Sequence, residues 1–180
     1  EEKIHNRNGN LIFMLAPYPA CYVHALTDEQ CREPYPLERP ERNDETQPHT
    51  NQVYREFLAA WQQDLEADSF LFYYHLWLSD ALMCDLGTVI WRDIRHLREL
   101  GLEGVLSAQP LPVFWPTGSA AAVLAETAWR SDVELDLICD DYLRAAFEDE
   151  AGFVRDYLAK LYSCMAPKNP YAHDEISKES

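Results

Sequence analysis

Cysteine, histidine and tyrosine gather within PYPACYVHALTDEQC, residues 17–31. Thiolate and imidazole are zinc ligands, so Cys21, His24 and Cys31, with His49 further on, form one candidate metal set. Structural zinc sites use tighter paired spacing than this, and here the later ligands fall in a proline-rich stretch. The same Cys21 and Cys31 would close a short disulfide loop in an exported protein. A third chemistry uses Tyr18, Tyr22 and His24 together. A sugar presents C–H faces that stack on aromatic rings and hydroxyls that need hydrogen-bonding partners, and this stretch supplies both. The combination recurs twice: Tyr74, His75 and Trp77 close the apolar run FLFYYHL, and Gln109, Phe114 and Trp115 follow GVLSAQ. The expected carbohydrate-binding side chains are therefore Tyr18, Tyr22, His24, Tyr74, His75, Trp77, Gln109 and Trp115. For any one of these rings, packing in the mouth of a sheet is an equally good account; the repetition at three strand ends is what favours a ligand.

Hydrolysis of a glycoside usually requires two carboxylates flanking the scissile bond, one of them able to donate a proton. Asp28, Glu29, Asp80 and Asp85 are the acids near these stretches, and none directly follows an apolar run. No catalytic residue is assigned, and the acid of a glycosidase is expected upstream of Glu1.

The elements that must position these groups read from periodicity. Residues 11–15 form a continuous apolar run between Asn8-Gly9-Asn10 and Pro17, which predicts a buried strand. Residues 70–76 and 104–109 predict two more. Val53, Phe57, Leu58 and Trp61 recur at helical spacing and predict a helix over 52–65. Ile90, Ile94 and Leu97 mark a second helix, with Thr88 as expected cap, Gly101 as stop, and Arg92, Arg95, Arg98 and Glu99 on its solvated face. Three further helices are predicted over 119–130, 133–147 and 151–165, the last with Phe153, Tyr157 and Leu161 as its apolar stripe. Between them, residues 27–50 carry four prolines and many charges without periodicity, the mark of a long loop.

Strands alternating with helices predict parallel βαβ units and an α/β fold. Three strands are few for a parallel sheet, which needs both faces covered. A whole (β/α)8 barrel takes about 250 residues. The chain of 180 residues is therefore expected to be the C-terminal part of a TIM-type barrel followed by C-terminal helices, with Glu1 a cut or processed end. Residues 1–118 would hold the last strand-helix units, 119–166 helices packed on the barrel, and 167–180 a loose tail. In such barrels the segments after the strands build the active face, where the three aromatic and polar clusters fall.

A formal net charge of −16 disfavours nucleic acid, whose binding rests on clustered Lys and Arg. No apolar run is long enough to cross a membrane. Five cysteines, an odd number in a chain too large to need staples, favour a reduced, cytoplasmic setting over export. Cys139 and Cys164 fall in helical apolar patterns and are expected in the core. No cofactor is expected.

The succession of PYPACYVHALTDEQC, the FLAAW helix, FLFYYHL, IRHLRELGLEGVLSAQ and AETAWRSDVELDLICDDYL resembles the second half of the domain of unknown function family 4838, from residue 11 to 161. That resemblance implies a glycoside-hydrolase-type barrel, distantly similar to α-glucuronidases and family 20 hexosaminidases and found in large bacterial proteins. It also implies a general acid on an earlier strand. The chain departs from the family in three places. Residues 32–50 stand where the family has a short, Asn-containing connection. Tyr74-His75 stands where an Asp-Tyr-like pair is usual, and Phe147-Glu148-Asp149 where a Tyr-Tyr-Gly-like element is usual. The expected partners are a carbohydrate and the N-terminal barrel half of the same polypeptide. The alternatives are a non-catalytic carbohydrate-binding or protein-interaction module, and a Cys/His metal-binding domain.

Overall fold

The computed structural model describes residues 6, 9–17, 24–29, 31, 50–65, 67–76, 85–108 and 118–164, leaving aside the side chains of 73–76 and 108. Three strands, β1 (Phe13–Leu15), β2 (Ser69–Leu76) and β3 (Gly104–Ala108), form a parallel sheet in the order β1-β2-β3. Helix α1 (Asn51–Leu65) connects the first pair. Helix α2 (Leu86–His96), extended by a 3₁₀ turn over Leu97–Leu100, connects the second. Three helices follow: α3 (Ser119–Trp129), α4 (Leu135–Phe147) and α5 (Ala151–Cys164), the last two joined by a 3₁₀ turn. The chain is thus mixed α/β with a small parallel sheet.

The register divides the strand residues between two faces. Phe13 aligns with Ser69, and Leu15 with Leu71 and Val105. These positions face the helices: Leu71 is fully buried, Phe13 stacks on Trp61 of α1 at 5.6 Å, and Leu15 and Val105 pack on the core. Ile90 and Ile94 of α2 and Leu97 of its 3₁₀ extension complete that core with Tyr54, Leu58, Leu102, Val123 and Ile138. The opposite face aligns Met14 with Phe70 and Gly104, then Phe72 with Leu106. It is equally apolar, yet Met14 remains 53% and Leu106 47% exposed.

Helix α2 starts at Asp85, not at Thr88. The Asp85 carboxylate accepts the Thr88 N–H at 3.3 Å and the Thr88 hydroxyl at 2.7 Å, so the earlier acid is the cap and Thr88 its partner. Gly101 ends the helical segment in the left-handed region, φ 66°, as a glycine there should. The arginines of α2 are less free than their spacing suggests. Arg92 pairs with Asp28 at 3.5 Å, and Arg95 lies over the Trp91 ring at 4.4 Å while reaching Glu134 at 3.9 Å. Trp91 in turn donates its indole N–H to the Val133 carbonyl at 2.9 Å, tying α2 to the start of α4. The Tyr142 hydroxyl accepts the Gly118 N–H at 2.8 Å, which holds the head of α3 on α4.

Two expectations about the last helices fail. Cys139 packs half-buried on the core, but Cys164 is exposed at the end of α5. On α5 the buried position is Leu158, so the inward stripe runs through Val154, Leu158 and Leu161 and leaves Phe153 71% exposed beside an exposed Tyr157. The i, i+4, i+8 spacing of Phe153, Tyr157 and Leu161 thus marks a stripe of which only Leu161 turns inward.

Candidate functional site

In a β-α-β crossover the helix begins at the edge toward which its strand runs. The starts of α1 and α2 therefore mark the C-terminal edge of the sheet, where open α/β sheets and barrels bind ligands. Residues 24–29 and 31, which follow β1 in sequence, pack beside these helices. Ala25 and Leu26 are buried, and Leu26 belongs to the core cluster. Such a segment brings backbone groups that have lost water and must find partners.

Those partners come from two buried polar side chains. Asn51, the first residue of α1 and 1% exposed, donates its side-chain amide to the His24 carbonyl at 2.7 Å and the Ala25 carbonyl at 3.3 Å. Asp93, on the inner face of α2 and 2% exposed, accepts the Leu26 N–H at 2.5 Å. The Asn51 backbone N–H points to Cys31 Sγ at 3.4 Å, and Thr50 caps α1 through its hydroxyl, 3.4 Å from the Val53 N–H. The Asp28–Arg92 pair closes the segment on its outer side. His24 is half-buried.

At the end of β2 the ladder is irregular. Phe72 pairs with Leu106 and Leu76 with Ala108, so β2 spends two more residues than β3 over the same stretch. Tyr73, Tyr74 and His75 occupy this bulge. Bulges increase the local twist and re-aim side chains, and they concentrate beside functional sites.

The residues expected from sequence divide accordingly. His24 is in the clipped segment and Tyr74 and His75 are in the bulged backbone of β2. Tyr18, Tyr22, Trp77, Gln109 and Trp115 lie outside the described residues, as do Cys21, His49 and Asp80. Of the proposed metal set, Cys31 is buried against Asn51 and His24 lends its carbonyl to the same residue. Among the described residues, no group of three His, Cys, Asp or Glu side chains stands close enough to hold a metal ion. Of the acids considered for hydrolysis, Asp28 pairs with Arg92, Asp85 caps α2, and Glu29 is exposed.

Asn51 and Asp93 escaped the sequence reading, although Asp93 left a trace. It stands three residues after Ile90 and one before Ile94, on the stripe that α2 turns inward, where an acid is out of place unless something pairs with it.

A phenol in this region, Tyr54, and a thiol on α4, Cys139, respond to burial. Burial pushes the Tyr54 hydroxyl well above its ordinary value of 10.0. Burial, with Asp85 and Asp136 nearby, raises the Cys139 thiol against an opposing effect of Arg155. Cys139 therefore stays protonated at neutral pH and is a poor nucleophile. Elsewhere, a cavity of about 340 Å³ opens between α4 and α5, lined by Asp140, Arg144, Ala151, Gly152, Arg155 and Asp156. Its two arginines are balanced by two acids, and Asp140 pairs with both Arg144 and Arg155.

Comparison with family models, with curated proteins and with solved structures finds no match for this chain. Among the described residues no helix is long and apolar enough to cross a membrane.

Proposed function

We propose that the chain is the closing part of a glycoside-hydrolase-like (β/α)8 barrel, similar to the domain of unknown function family 4838, and that it contributes side chains to a carbohydrate cleft. The observation that carries the reading is the sheet. Its strands are parallel and stand in chain order, helices cover one face, and the other face is apolar and exposed at Met14 and Leu106. Parallel sheets are buried on both sides, and a sheet whose second face forms the packed interior of a barrel meets that requirement. The remaining strands would come from the N-terminal barrel half of the same polypeptide, with the general acid on one of them. At the C-terminal edge, the aromatic and polar segments after all three strands would then meet at one mouth. Tyr18, Tyr22, Trp77 and Trp115 supply stacking faces, and His24, Tyr74, His75 and Gln109 supply hydrogen bonds to sugar hydroxyls.

In the full-length protein, Trp77→Ala or Trp115→Ala should weaken binding of D-glucuronic acid or N,N′-diacetylchitobiose by about fivefold or more, at about 1–3 kcal/mol per lost stacking partner, with the melting temperature unchanged. Isothermal titration measures it, and unaltered affinity in both variants refutes the cleft. A second reading, a protein-interaction module, is favoured by a different feature: Trp129 is 88% exposed, and Leu137, Phe153 and Tyr157 are also turned outward on the C-terminal helices.

A further inference from the structure

We propose that Asn51 and Asp93 are positioning residues that fix His24 at the C-terminal edge of the sheet; this rests on the reading of His24 as a ligand contact. Asn51 takes the carbonyls of His24 and Ala25, and Asp93 takes the N–H of Leu26, so three backbone groups on two consecutive peptide units are held from two different helices. A residue whose carbonyl and whose next peptide are both anchored has its backbone held on the C-terminal side. That restricts where the imidazole can stand, which is the preorganisation a binding group needs.

Stability alone does not account for Asp93. It lies between Ile90 and Ile94 on the face of α2 that builds the core, where burying a carboxylate is costly and an apolar side chain of similar size packs as well or better. Leu26 already anchors the segment through its side chain, being 5% exposed in the core cluster. What the carboxylate adds is direction: hydrophobic contact leaves a backbone free to slide, whereas a charge-assisted hydrogen bond sets its register. Asn51 acts likewise. Its backbone N–H lies against Cys31 Sγ while its side chain holds residues 24 and 25, so one residue at the head of α1 ties both ends of the 24–31 segment.

The test uses the full chain and heteronuclear NMR. Asp93→Leu and Asn51→Ala should each speed amide exchange at Leu26 about tenfold or more. They should also shift and broaden the His24 imidazole resonances, while exchange at Leu71 and Ile90 stays slow. Asp93→Asn keeps an oxygen that can accept the Leu26 N–H, and should restore slow exchange and the native His24 signals. The proposal falls if the His24 signals are unmoved in both disrupting variants, or if Asp93→Asn behaves like Asp93→Leu. Titration of the full-length protein with D-glucuronic acid and N,N′-diacetylchitobiose separates the two layers. If the native protein binds neither sugar, the carbohydrate reading fails, and the His24 signals still decide whether Asn51 and Asp93 position it.

Discussion

The two ends of the sheet are held by polar networks of opposite character. At the N-terminal end, Gln62 near the foot of α1 extends its amide to Ser69 Oγ at 2.7 Å, the Gly101 carbonyl at 2.9 Å and the Leu100 carbonyl at 3.0 Å. Ser69 Oγ donates onward to the Gly101 carbonyl at 3.0 Å, and the Glu103 N–H reaches the Ser69 carbonyl at 2.8 Å. Every group there is neutral, and the network joins the foot of α1, the start of β2 and the approach to β3. At the C-terminal end the network holds a carboxylate, Asp93, and a phenol nearby, Tyr54, and what it grips is a segment of irregular chain. Neutral amides and hydroxyls lose little on burial once paired, whereas a buried charge repays its desolvation only through good geometry. The N-terminal end is thus built to hold strands together. The C-terminal end accepts a costlier solution in return for a fixed loop, the division known from barrels in which one face serves stability and the other chemistry.

The sharpest break of that comparison is Gly101→Ala. The residue has φ 66°, and a Cβ there would lie 2.8 Å from the Gln62 side-chain nitrogen, so the change imposes a strained backbone and dislodges the hub of the network. A left-handed non-glycine costs about 1–2 kcal/mol and each lost hydrogen bond about 1, for a total on the order of 3 kcal/mol. Thermal unfolding should show a fall in Tm of roughly 10 °C. Gln62→Leu comes next. It removes the donor but keeps the backbone relaxed, leaving the Leu100 and Gly101 carbonyls short of a partner, and should cost about 1–2 kcal/mol by urea unfolding. If either variant loosened the His24 segment as strongly as it lowered Tm, the two ends would not be separate devices. Asp93→Leu should show the converse: a fall in Tm no larger than that of Gln62→Leu, from one backbone N–H left short of a partner, and a large gain in exchange at Leu26.

How far the sequence disclosed this organisation follows from what each feature depends on. The strands and helices came from periodicity, because Leu71, Ile90, Ile94 and Leu58 sit where apolar spacing puts them. Direction was lost where two apolar faces compete: on α5 the large rings of Phe153 and Tyr157 define a stripe as regular as the true one through Leu158. The cap of α2 lies one turn before Thr88: Asp85 and Thr88 are both good caps and bond to each other. Of the candidate site, the aromatic clusters were legible as composition, but the clip was not. Asn51 and Asp93 bond to backbone atoms 26 to 67 residues away, and a backbone acceptor has no residue type to betray it. Only the misfit of an acid on an apolar stripe could have raised the question.

The smallest predicted effect separates the two ends by pH. Tyr54 sits on the first turn of α1, 4% exposed, and its burial raises the phenol above its ordinary value. Because the folded state holds that proton more tightly, the group adds no pH dependence while it is protonated in both states, below about pH 10. Above that the unfolded chain releases the proton first, so stability falls as pH rises. The loss is under about 1 kcal/mol at pH 10.5 and grows by at most about 1.4 kcal/mol per further unit. Tyr54→Phe should flatten this part of the curve. Asn51 lies one helical turn away in sequence, so the fall should be visible first as faster exchange at Ala25 and Leu26, while the amides around Gln62 and Ser69, where no buried titratable side chain takes part, stay protected over the same interval. Simultaneous loss at both ends would mean that the sheet opens as one unit, and that the separation between a neutral structural end and a charged, loop-fixing end does not hold in solution.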